Sequence, residues 1–424
     1  MQSYEILTFI ICLAAVFAYI NFRFIRLEPT IGIMILSLAA SVMLAIFSHF
    51  FPAVSAPLIN FIASVNFHSL LMNGMLCFLL FAGSIHIDAV NLRKERLPVI
   101  VLSSFGILIS TFLIGTLLFY VFLAFHMGIG YIYCLLFAAL ISPTDPIAVL
   151  AILKRSGLPV SLETKIAGES LFNDGVAVVI FLTILEVAQT GIDKLSFIDI
   201  SVLFIRETGG GLLFGLLLGR LGYYIMRSID KYEIEVMVTV AIVMGGYLVA
   251  NMLHISGPLA MVVAGIIVGN KARKLAVSKI TKDYLDKFWE LIDEMLNAIL
   301  FMLIGFEMLV IRIDGPLFVI SLIAIVITLF ARWVSVAIPV TFLRRRVRFV
   351  KNAIAILSWG GLRGGLSVAL ALSLPTNMFR DQFVAITYII VVFSIIVQGL
   401  TIGALYRKLE AKKQVLKKDS PLIP

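Results

Sequence analysis

The chain has 424 residues, of which 61% are hydrophobic and only 14% charged, and its formal net charge is +9. Soluble domains have about 45–50% apolar and about 25% charged residues, and a water-exposed surface cannot absorb such an excess of apolar side chains. The composition excludes a soluble globular enzyme and a disordered chain, and it indicates an integral membrane protein. All three cysteines lie in apolar runs and predict neither disulfides nor a metal site: Cys12, Cys77 and Cys134.

Apolar runs of roughly 20 residues, the length that crosses a bilayer as a helix, recur along the whole chain. They predict an all-α polytopic membrane protein with about 13 transmembrane helices. The third helix is expected to bend, and a basic tail at 407–424 follows the membrane domain at 1–406. In chain order the predicted spans lie near 5–22, 30–49, 57–85, 97–126, 131–153, 162–189, 198–226, 233–252, 256–269, 284–310, 315–343, 350–373 and 382–406.

Lysines and arginines fall mainly on one side of the predicted membrane, for example around Arg26 and Arg345. The other side has little beyond Lys194, Arg312 and Arg380. By the positive-inside rule the basic side is cytoplasmic, which predicts an outer amino terminus and a cytoplasmic carboxyl terminus in the plasma (inner) membrane. The net positive charge therefore reflects topology. We expect contacts with anionic lipid headgroups and no nucleic-acid partner.

The apolar pattern first breaks in the middle of the fifth span, at Ser142-Pro143-Thr144-Asp145-Pro146. Two prolines three residues apart remove two backbone donors, so the helix is expected to unwind there. At 1.5 Å per residue, Asp145 lies roughly 21 Å from the outer end, near the midplane of a core roughly 30 Å thick. Irregular backbone at that depth must be buried in protein or line a wet cavity. Asp145 therefore caps the second half-helix, lines a site, or does both.

The second break lies in the sixth span and contains two carboxylates. Glu169 with Asn173, and Ser170 with Asp174, are spaced i, i+4, so two polar stripes lie on adjacent parts of one helix face. A charge in the hydrocarbon costs at least about 2.5–3.5 kcal/mol, which makes such residues candidates for function. A structural salt bridge explains one carboxylate, most naturally Glu169. Asp174, roughly 18 Å from the cytoplasmic end, is left without an obvious fixed partner.

Two buried arginines form the third group. Arg363 lies among four glycines of the twelfth span, at 360, 361, 364 and 365, which weaken the helix and permit a second break. Arg332 lies deep in the eleventh span. Arginine stays protonated, so each needs an anion or the carbonyls at the end of a half-helix, and a structural ion pair is the alternative role for each. Asp293 and Glu294 in the tenth span are further buried-carboxylate candidates, for a supporting or pH-response role.

The two predicted breaks are related by symmetry. Pro143 and Gly360 are 217 residues apart, about half the chain, and lie seven spans apart. Because seven is odd, the broken helices cross the bilayer in opposite directions. Two interrupted helices at corresponding places in antiparallel halves are typical of a secondary transporter built from inverted repeats.

Five motifs in order resemble the monovalent cation:proton antiporter-1 family, the bacterial sodium/proton exchangers related to animal sodium/hydrogen exchangers. The resemblance covers about residues 30 to 406. The motifs are Thr144-Asp145-Pro146, Gly168-Glu169-Ser170-Leu171-Phe172-Asn173-Asp174-Gly175, Ser256-Gly257-Pro258-Leu259-Ala260, Phe288-Trp289-Glu290 with Leu303-Ile304-Gly305, and Gly360-Gly361-Leu362-Arg363-Gly364.

The resemblance implies a homodimer of thirteen-helix protomers with two crossed, unwound helices. It implies dimerisation helices in parts of 5–85 and 198–269 and core helices in parts of 97–189 and 315–406. No cofactor is implied beyond the transported Na⁺ and H⁺, and the implied role is sodium transport in pH homeostasis.

The resemblance also implies roles for individual residues. Asp174 matches the aspartate that binds the ion or the proton, and Asn173 the asparagine that marks the electroneutral branch. Thr144 and Ser170 match further Na⁺ ligands, and Asp145 the aspartate of the unwound helix. Glu169 matches a glutamate paired with a buried arginine, here Arg332 or Arg363. Some relatives have an acidic ligand in the third span, where this chain has Phe81-Ala82-Gly83-Ser84.

These features predict a secondary antiporter that exchanges Na⁺ or Li⁺ for H⁺ by alternating access, electroneutrally and one for one. A buried carboxyl holds a proton more readily than an exposed one, and its ionised form suits a hard cation. A K⁺/H⁺ antiporter of the same fold and a cation channel are the alternatives. An intramembrane enzyme is not expected, because the sequence has no H-E-x-x-H motif.

Overall fold

The computed structural model describes residues 2–63, 67–191, 197–229, 231–272, 279–311 and 314–418. Lys194 and Arg312, two of the cations assigned to the less basic side, and residues 419–424 of the basic tail lie outside these ranges. Within them, eight helices are long and apolar enough to cross a membrane, and further apolar helices are shorter. The chain is an integral membrane protein, as its composition predicts.

The first half of the chain contains eleven of the helices. They are α1 (Gln2–Ile20), α2 (Pro29–Phe50), α3 (Pro52–Ala63), α4 (Phe67–Leu70), α5 (Leu76–Ile85), α6 (Ala89–Lys94), α7 (Arg96–Val101), α8 (Ile107–Ala124), α9 (Tyr131–Ile141), α10 (Ile147–Arg155) and α11 (Val160–Thr190). Single π-helical turns extend α1, join α4 to α5 and join α7 to α8: Asn21–Ile25, Leu71–Met75 and Leu102–Gly106.

The second half repeats the pattern of long helices and one broken helix. Its helices are α12 (Phe197–Arg227), α13 (Tyr232–Met252), α14 (Gly257–Ile267), α15 (Lys279–Glu307), α16 (Gly315–Leu343), α17 (Ala353–Trp359), α18 (Gly365–Leu372), α19 (Arg380–Phe393) and α20 (Gly399–Lys418). Each predicted span overlaps at least one of these helices, and the all-α fold is confirmed. The count of thirteen crossings stays a prediction.

Two predicted spans have different limits in the structure. The third, expected near 57–85, begins within α3, a separate helix that starts at Pro52. Proline suits the first turn of a helix, where no backbone donor is needed, and Pro52 therefore favours a new start. Residues 64–66 lie outside the described ranges. The last helix, expected to end near 406, continues to Lys418.

The helices pack in two groups. In one, α8 packs against α9 and α16, α16 against α19, α18 against α19, and α11 against α9. In the other, α12 packs against α14, α14 against α5, and α15 against α2. Contacts of α11 with α12 and α14 connect the groups. The broken helices thus lie within the first group, and α15 belongs to the second.

Candidate functional site

The first broken helix consists of α9 and α10. The backbone leaves the helical path between Ile141 and Ile147, where Pro143 and Pro146 cannot donate hydrogen bonds. The carboxylate of Asp145 accepts a hydrogen bond from the backbone N of Ile147, the first residue of α10, at 2.9 Å, although the N-cap residue itself is Pro146.

The second broken helix consists of α17 and α18, with residues 360–364 between them. Two of its glycines allow close approach of charged side chains. A Cβ added at Gly361 would lie 2.4 Å from Nε of Arg332, and one at Gly364 would lie 2.6 Å from Oδ2 of Asp145. No side chain larger than hydrogen fits at either position without displacing a charged group.

The two unwound segments cross and pair through their backbones. The backbone N of Asp145 donates to the carbonyl oxygen of Leu362 at 2.8 Å, an isolated antiparallel bridge. Because both segments have lost their helical hydrogen bonds, each satisfies part of the other's backbone at the crossing. This crossing is the one that the resemblance implied.

Arg363, only 3% exposed, lies at the crossing and contacts the end of α9. Its guanidinium donates to the carbonyl oxygen of Ser142 and, at 3.0 Å, to that of Pro143. These carbonyls are freed where the helix breaks, and a cation is favourable at that negative end of the helix dipole. Its backbone N donates to Oγ of Ser394 at 2.9 Å. Arg363 therefore takes half-helix carbonyls, one of the two kinds of partner expected for it.

Arg332 is the arginine that contacts Glu169. Nη1 of Arg332 lies 2.5 Å from Oε1 of Glu169, and both side chains are buried. Nη2 of Arg332 also donates to the carbonyl oxygen of Leu357 in α17 at 3.1 Å. The pair therefore connects α11, α16 and the second broken helix.

Thr144 joins the first broken helix to α11. Nδ2 of Asn173 donates to Oγ1 of Thr144 at 2.8 Å, and the backbone N of Thr144 donates to Oδ1 of Asn173 at 3.4 Å. The hydroxyl of Ser170 donates to the carbonyl oxygen of Thr144. All three side chains are buried. The structure therefore gathers these predicted residues around one unwound turn.

Asp174 differs from its neighbours. It follows Asn173 on α11 and lies on the wall of a cavity of about 1480 Å³, which Thr144 and Asp145 also line. Among the described residues its carboxylate has neither a hydrogen-bond partner nor a cation within ion-pair distance. Asp145 is close enough to repel it. Asp174 is therefore a half-buried carboxyl with access to the cavity and no compensating cation among the described residues.

The cavity extends from this site to one face of the protein. Its lining includes four basic side chains of the side assigned to the cytoplasm: Arg23, Arg26, Lys154 and Arg155. Asp174 is therefore reached from the face that carries the basic loops.

Comparison with known sequences agrees with this arrangement. The profile of the family described as "Sodium/hydrogen exchanger, transmembrane" matches residues 11–408, which include both broken helices. The chain belongs to the sodium/hydrogen exchanger family. This membership confirms the resemblance predicted from the five motifs and the predicted class of transporter, a sodium/proton exchanger.

Individual relatives cover nearly the same length. The Na⁺/H⁺ antiporter NhaP of Pseudomonas aeruginosa is 46% identical over 96% of this chain and 97% of its own. The antiporter NhaH of Halobacillus dabanensis is 36% identical over 81% of this chain and 84% of its own. The solved sodium proton antiporter MjNhaP1 of Methanocaldococcus jannaschii has the same fold, with a TM-score of 0.75 and 19% identity over 96% of this chain and 99% of its own.

The cavity also has a polar wall that the sequence motifs only partly indicated. Asp293 and Glu294 of this family member line the cavity, together with Asn297 one turn further along α15. The two carboxylates were candidates from their depth in the tenth span, whereas Asn297 was not singled out. Its i, i+4 spacing from Asp293 was the available signal.

Proposed function

We propose that this protein carries out its family's exchange of Na⁺ (or Li⁺) for H⁺ at Asp174, one cation for one proton, by alternating access. The observation that carries the proposal is the solitary carboxylate of Asp174, half-buried beside the cavity without a partner among the described residues. The buried charges of Glu169, Arg332 and Arg363 have partners.

Exchange follows if one carboxylate serves two ligands that exclude each other. The ionised Asp174, with oxygen atoms of Thr144 and Ser170 nearby, offers the hard oxygen ligands that Na⁺ prefers. In the absence of the cation, burial favours the protonated form. A bare carboxylate is costly at the centre of the membrane, so the unloaded carrier changes state rarely. Each change of state therefore carries either a cation or a proton.

The one-for-one ratio is supported by the charges at the site. Arg332 offsets Glu169, and the charge of the exchanging carboxylate, Asp174, is neutralised by one Na⁺ or by one H⁺. Asn173 is neutral and is engaged with Thr144 at 2.8 Å, so it supplies no further charge. The loaded site is then neutral in both directions of transport.

Alternating access is supported by the two packing groups. We assign the group around the broken helices to the moving core and the group around α12, α14 and α15 to the dimerisation domain. The cavity at the basic face then represents the state open to the cytoplasm, with the amino terminus outside and the carboxyl terminus inside.

A homodimer and lipid contacts are part of the proposal. A row of exposed apolar side chains follows one side of α12, at Ile198, Val202, Ile205, Leu213, Leu217 and Tyr224. The spacings of three, four, seven or eight residues keep them on one helix face. Such a face requires lipid or a second copy of the chain.

The test is exchange by the purified full-length protein in proteoliposomes that contain a pH-sensitive dye. An added Na⁺ pulse is expected to dissipate a preset pH gradient with the wild type and not with Asp174→Asn. Asp381→Asn, which neutralises an exposed carboxylate at the start of α19, is the matched control and keeps the exchange. Undiminished exchange by Asp174→Asn contradicts the proposal.

A cation series in the same vesicles separates the alternatives. Exchange with K⁺ but not Na⁺ or Li⁺ identifies a K⁺/H⁺ antiporter. Cation flux that leaves the pH gradient intact identifies a channel.

The stoichiometry is tested with a potassium diffusion potential imposed across the vesicle membrane. The wild-type rate is expected to be independent of the potential. Asn173→Asp adds a charge to the site, and one charge crossing 100 mV corresponds to about 2.3 kcal/mol, so its transport is expected to become voltage-sensitive or impaired. Full, voltage-independent activity of Asn173→Asp contradicts the role given to Asn173.

A further inference from the structure

A row of polar side chains on α15 leads from the cavity mouth towards the site. Glu290, Asp293 and Asn297 line the cavity at positions i, i+3 and i+7, the spacing of one helix face. At 1.5 Å per residue, Asn297 lies about 10 Å further along the helix than Glu290. The helix α15 packs against α2 and α5, so this wall belongs to the group without the broken helices.

The orientation of the Asn297 amide is fixed by its neighbours. Nδ2 of Asn297 donates to the backbone oxygen of Asp293 at 2.8 Å and to its carboxylate Oδ1 at 3.1 Å. Since both partners are acceptors, the nitrogen must face them, and Oδ1 of Asn297 points elsewhere. That oxygen is buried without a hydrogen-bond donor in the described part of the chain, and the residue is only 2% exposed. A buried acceptor without a donor is unfavourable, so this oxygen favours either a cation or a hydrogen-bond donor such as water.

The carboxylate of Asp293 also lacks a compensating cation among the described residues. The charged groups that act on it are Asp145 and Glu294, both of which are acidic. In the described lining of the cavity, eight carboxyl side chains face four lysines and arginines. A cation that enters the cavity therefore meets an attractive field, and the carboxylate of Asp293 is held in place there by the Asn297 amide.

We propose that Asp293 and Asn297 form a second cation site, on the α15 wall of the cavity, which takes up the transported monovalent cation before it passes to Asp174. This inference rests on the proposed exchange at Asp174. The ligands are a carboxylate oxygen of Asp293 and the amide oxygen of Asn297, both suited to Na⁺ or Li⁺.

The site acts from one side of the membrane only. It lines the cavity at the basic face and lies on the group of helices that the proposed function keeps static. When the core changes state, Asp174 leaves this wall, and the second site no longer contributes to loading. Loss of the site is therefore expected to weaken Na⁺ uptake from the basic face and to leave uptake from the opposite face unchanged.

The test compares inside-out and right-side-out membrane vesicles with the wild type, Asp293→Asn and Asn297→Leu. From the basic face, both variants are expected to raise the Na⁺ concentration for half-maximal exchange about tenfold, with the maximal rate kept. From the other face, half-saturation is expected to be unchanged. Asn297→Gln, which keeps both the amide donor and an oxygen ligand, is expected to raise half-saturation less than Asn297→Leu.

Glu294→Gln is the matched control, because it removes the same charge from the neighbouring, exposed position. If Glu294→Gln raises the Na⁺ concentration for half-maximal exchange less than Asp293→Asn does, the result supports the site. An equal rise means that only the overall field of the cavity matters, and it overturns the proposal. A lower maximal rate with unchanged half-saturation indicates a structural role and overturns it as well.

A binding measurement separates this inference from the proposed function. Na⁺ is still expected to raise the thermal unfolding temperature of the Asp174→Asn variant. In the double variant Asp174→Asn/Asp293→Asn, that rise is expected to be absent. If Na⁺ does not change the unfolding temperature of Asp174→Asn, the Asn297 oxygen is only hydrated, and the proposal of a second cation site is wrong. If Asp174→Asn still exchanges ions, the proposed function fails whatever Asp293 does.

Discussion

Glu169 and Asp174 lie five residues apart on α11 and differ in what surrounds them. Five residues turn an α-helix by about 140° beyond one full turn, so the two carboxylates face different sides and not the single face expected from the i, i+4 spacings. Glu169 faces α16 and is held by Arg332 at 2.5 Å. Asp174 faces the cavity and has no partner among the described residues.

The difference separates two uses of a charge in a membrane. A carboxylate that is neutralised by a fixed arginine contributes to the structure and cannot exchange ligands. A carboxylate beside a cavity can be neutralised only by something that arrives and leaves. The ion pair also holds α11 against α16 and α17, which fixes the helix that positions Asp174.

The largest expected effect on stability comes from breaking the buried pair. Glu169→Gln leaves the Arg332 guanidinium buried with little more than the Leu357 carbonyl, and it is expected to lower the free energy of unfolding by about 3–5 kcal/mol. Unfolding by SDS titration of the detergent-solubilised protein measures this. The double variant Glu169→Gln/Arg332→Gln is expected to lower the free energy of unfolding by less than the sum of the two single variants. If Glu169→Gln lowers the free energy of unfolding by less than about 1 kcal/mol, the Glu169–Arg332 pair is not important for stability and Glu169 does not differ from Asp174 in this respect.

For Asp174→Asn we expect a change in the free energy of unfolding of the opposite sign, which is a stabilisation. Without Na⁺ this carboxyl must take up a proton when the protein folds at neutral pH, and Asn does not, so the change is expected to raise the free energy of unfolding by about 1–2 kcal/mol while exchange is lost. The same titration in Na⁺-free buffer measures it. A marked destabilisation would mean that Asp174 has a structural partner, as Glu169 does.

A smaller effect is expected where the crossing approaches the site. In Gly364→Ala the new Cβ falls 2.6 Å from Oδ2 of Asp145, so this carboxylate must move. The exchange rate is expected to fall about tenfold, since small displacements at a binding site are costly. Gly245→Ala is the control, because no atom lies within 4 Å of its added Cβ. Equal rates for the two variants would contradict the role of the crossing.

The smallest effect is expected at an exposed ion pair. Lys154 and Glu163 lie 2.8 Å apart, with side chains 56% and 31% exposed. Lys154→Ala is expected to lower the free energy of unfolding by about 1 kcal/mol or less, because water already stabilises both charges. The titration used for Glu169→Gln allows direct comparison. A loss as large as that of the buried pair would show that burial does not govern these energies.

Local chemistry was enough to predict the two breaks. Pro143 and Pro146 cannot donate backbone hydrogen bonds, and the glycines near Arg363 weaken a helix wherever they occur. Their separation of 217 residues in spans of opposite direction was equally visible in the sequence. The fold class followed because apolar runs of this length have few alternatives to membrane helices.

The partners of the charged groups could not be predicted in the same way. Arg332 and Arg363 were both candidates for Glu169, and both are buried. Their roles diverge because the crossing brings Arg363 to the carbonyls at the end of α9 and leaves Arg332 beside α11. Asn297 was missed because an amide in an apolar run carries no charge that would mark it.

The order of residues is enough to indicate that the chain lies in a membrane, where its helices break, and which acidic residues and arginines lie deep in the hydrocarbon region. Composition and backbone chemistry act locally, so these features can be predicted from residues that are close together in the sequence. Which carboxylate is neutralised by an arginine and which is not depends on the packing, because the partners lie on helices that are far apart in the chain. Glu169 contacts Arg332, which lies 163 residues away in the sequence, whereas Asp174 lines the cavity.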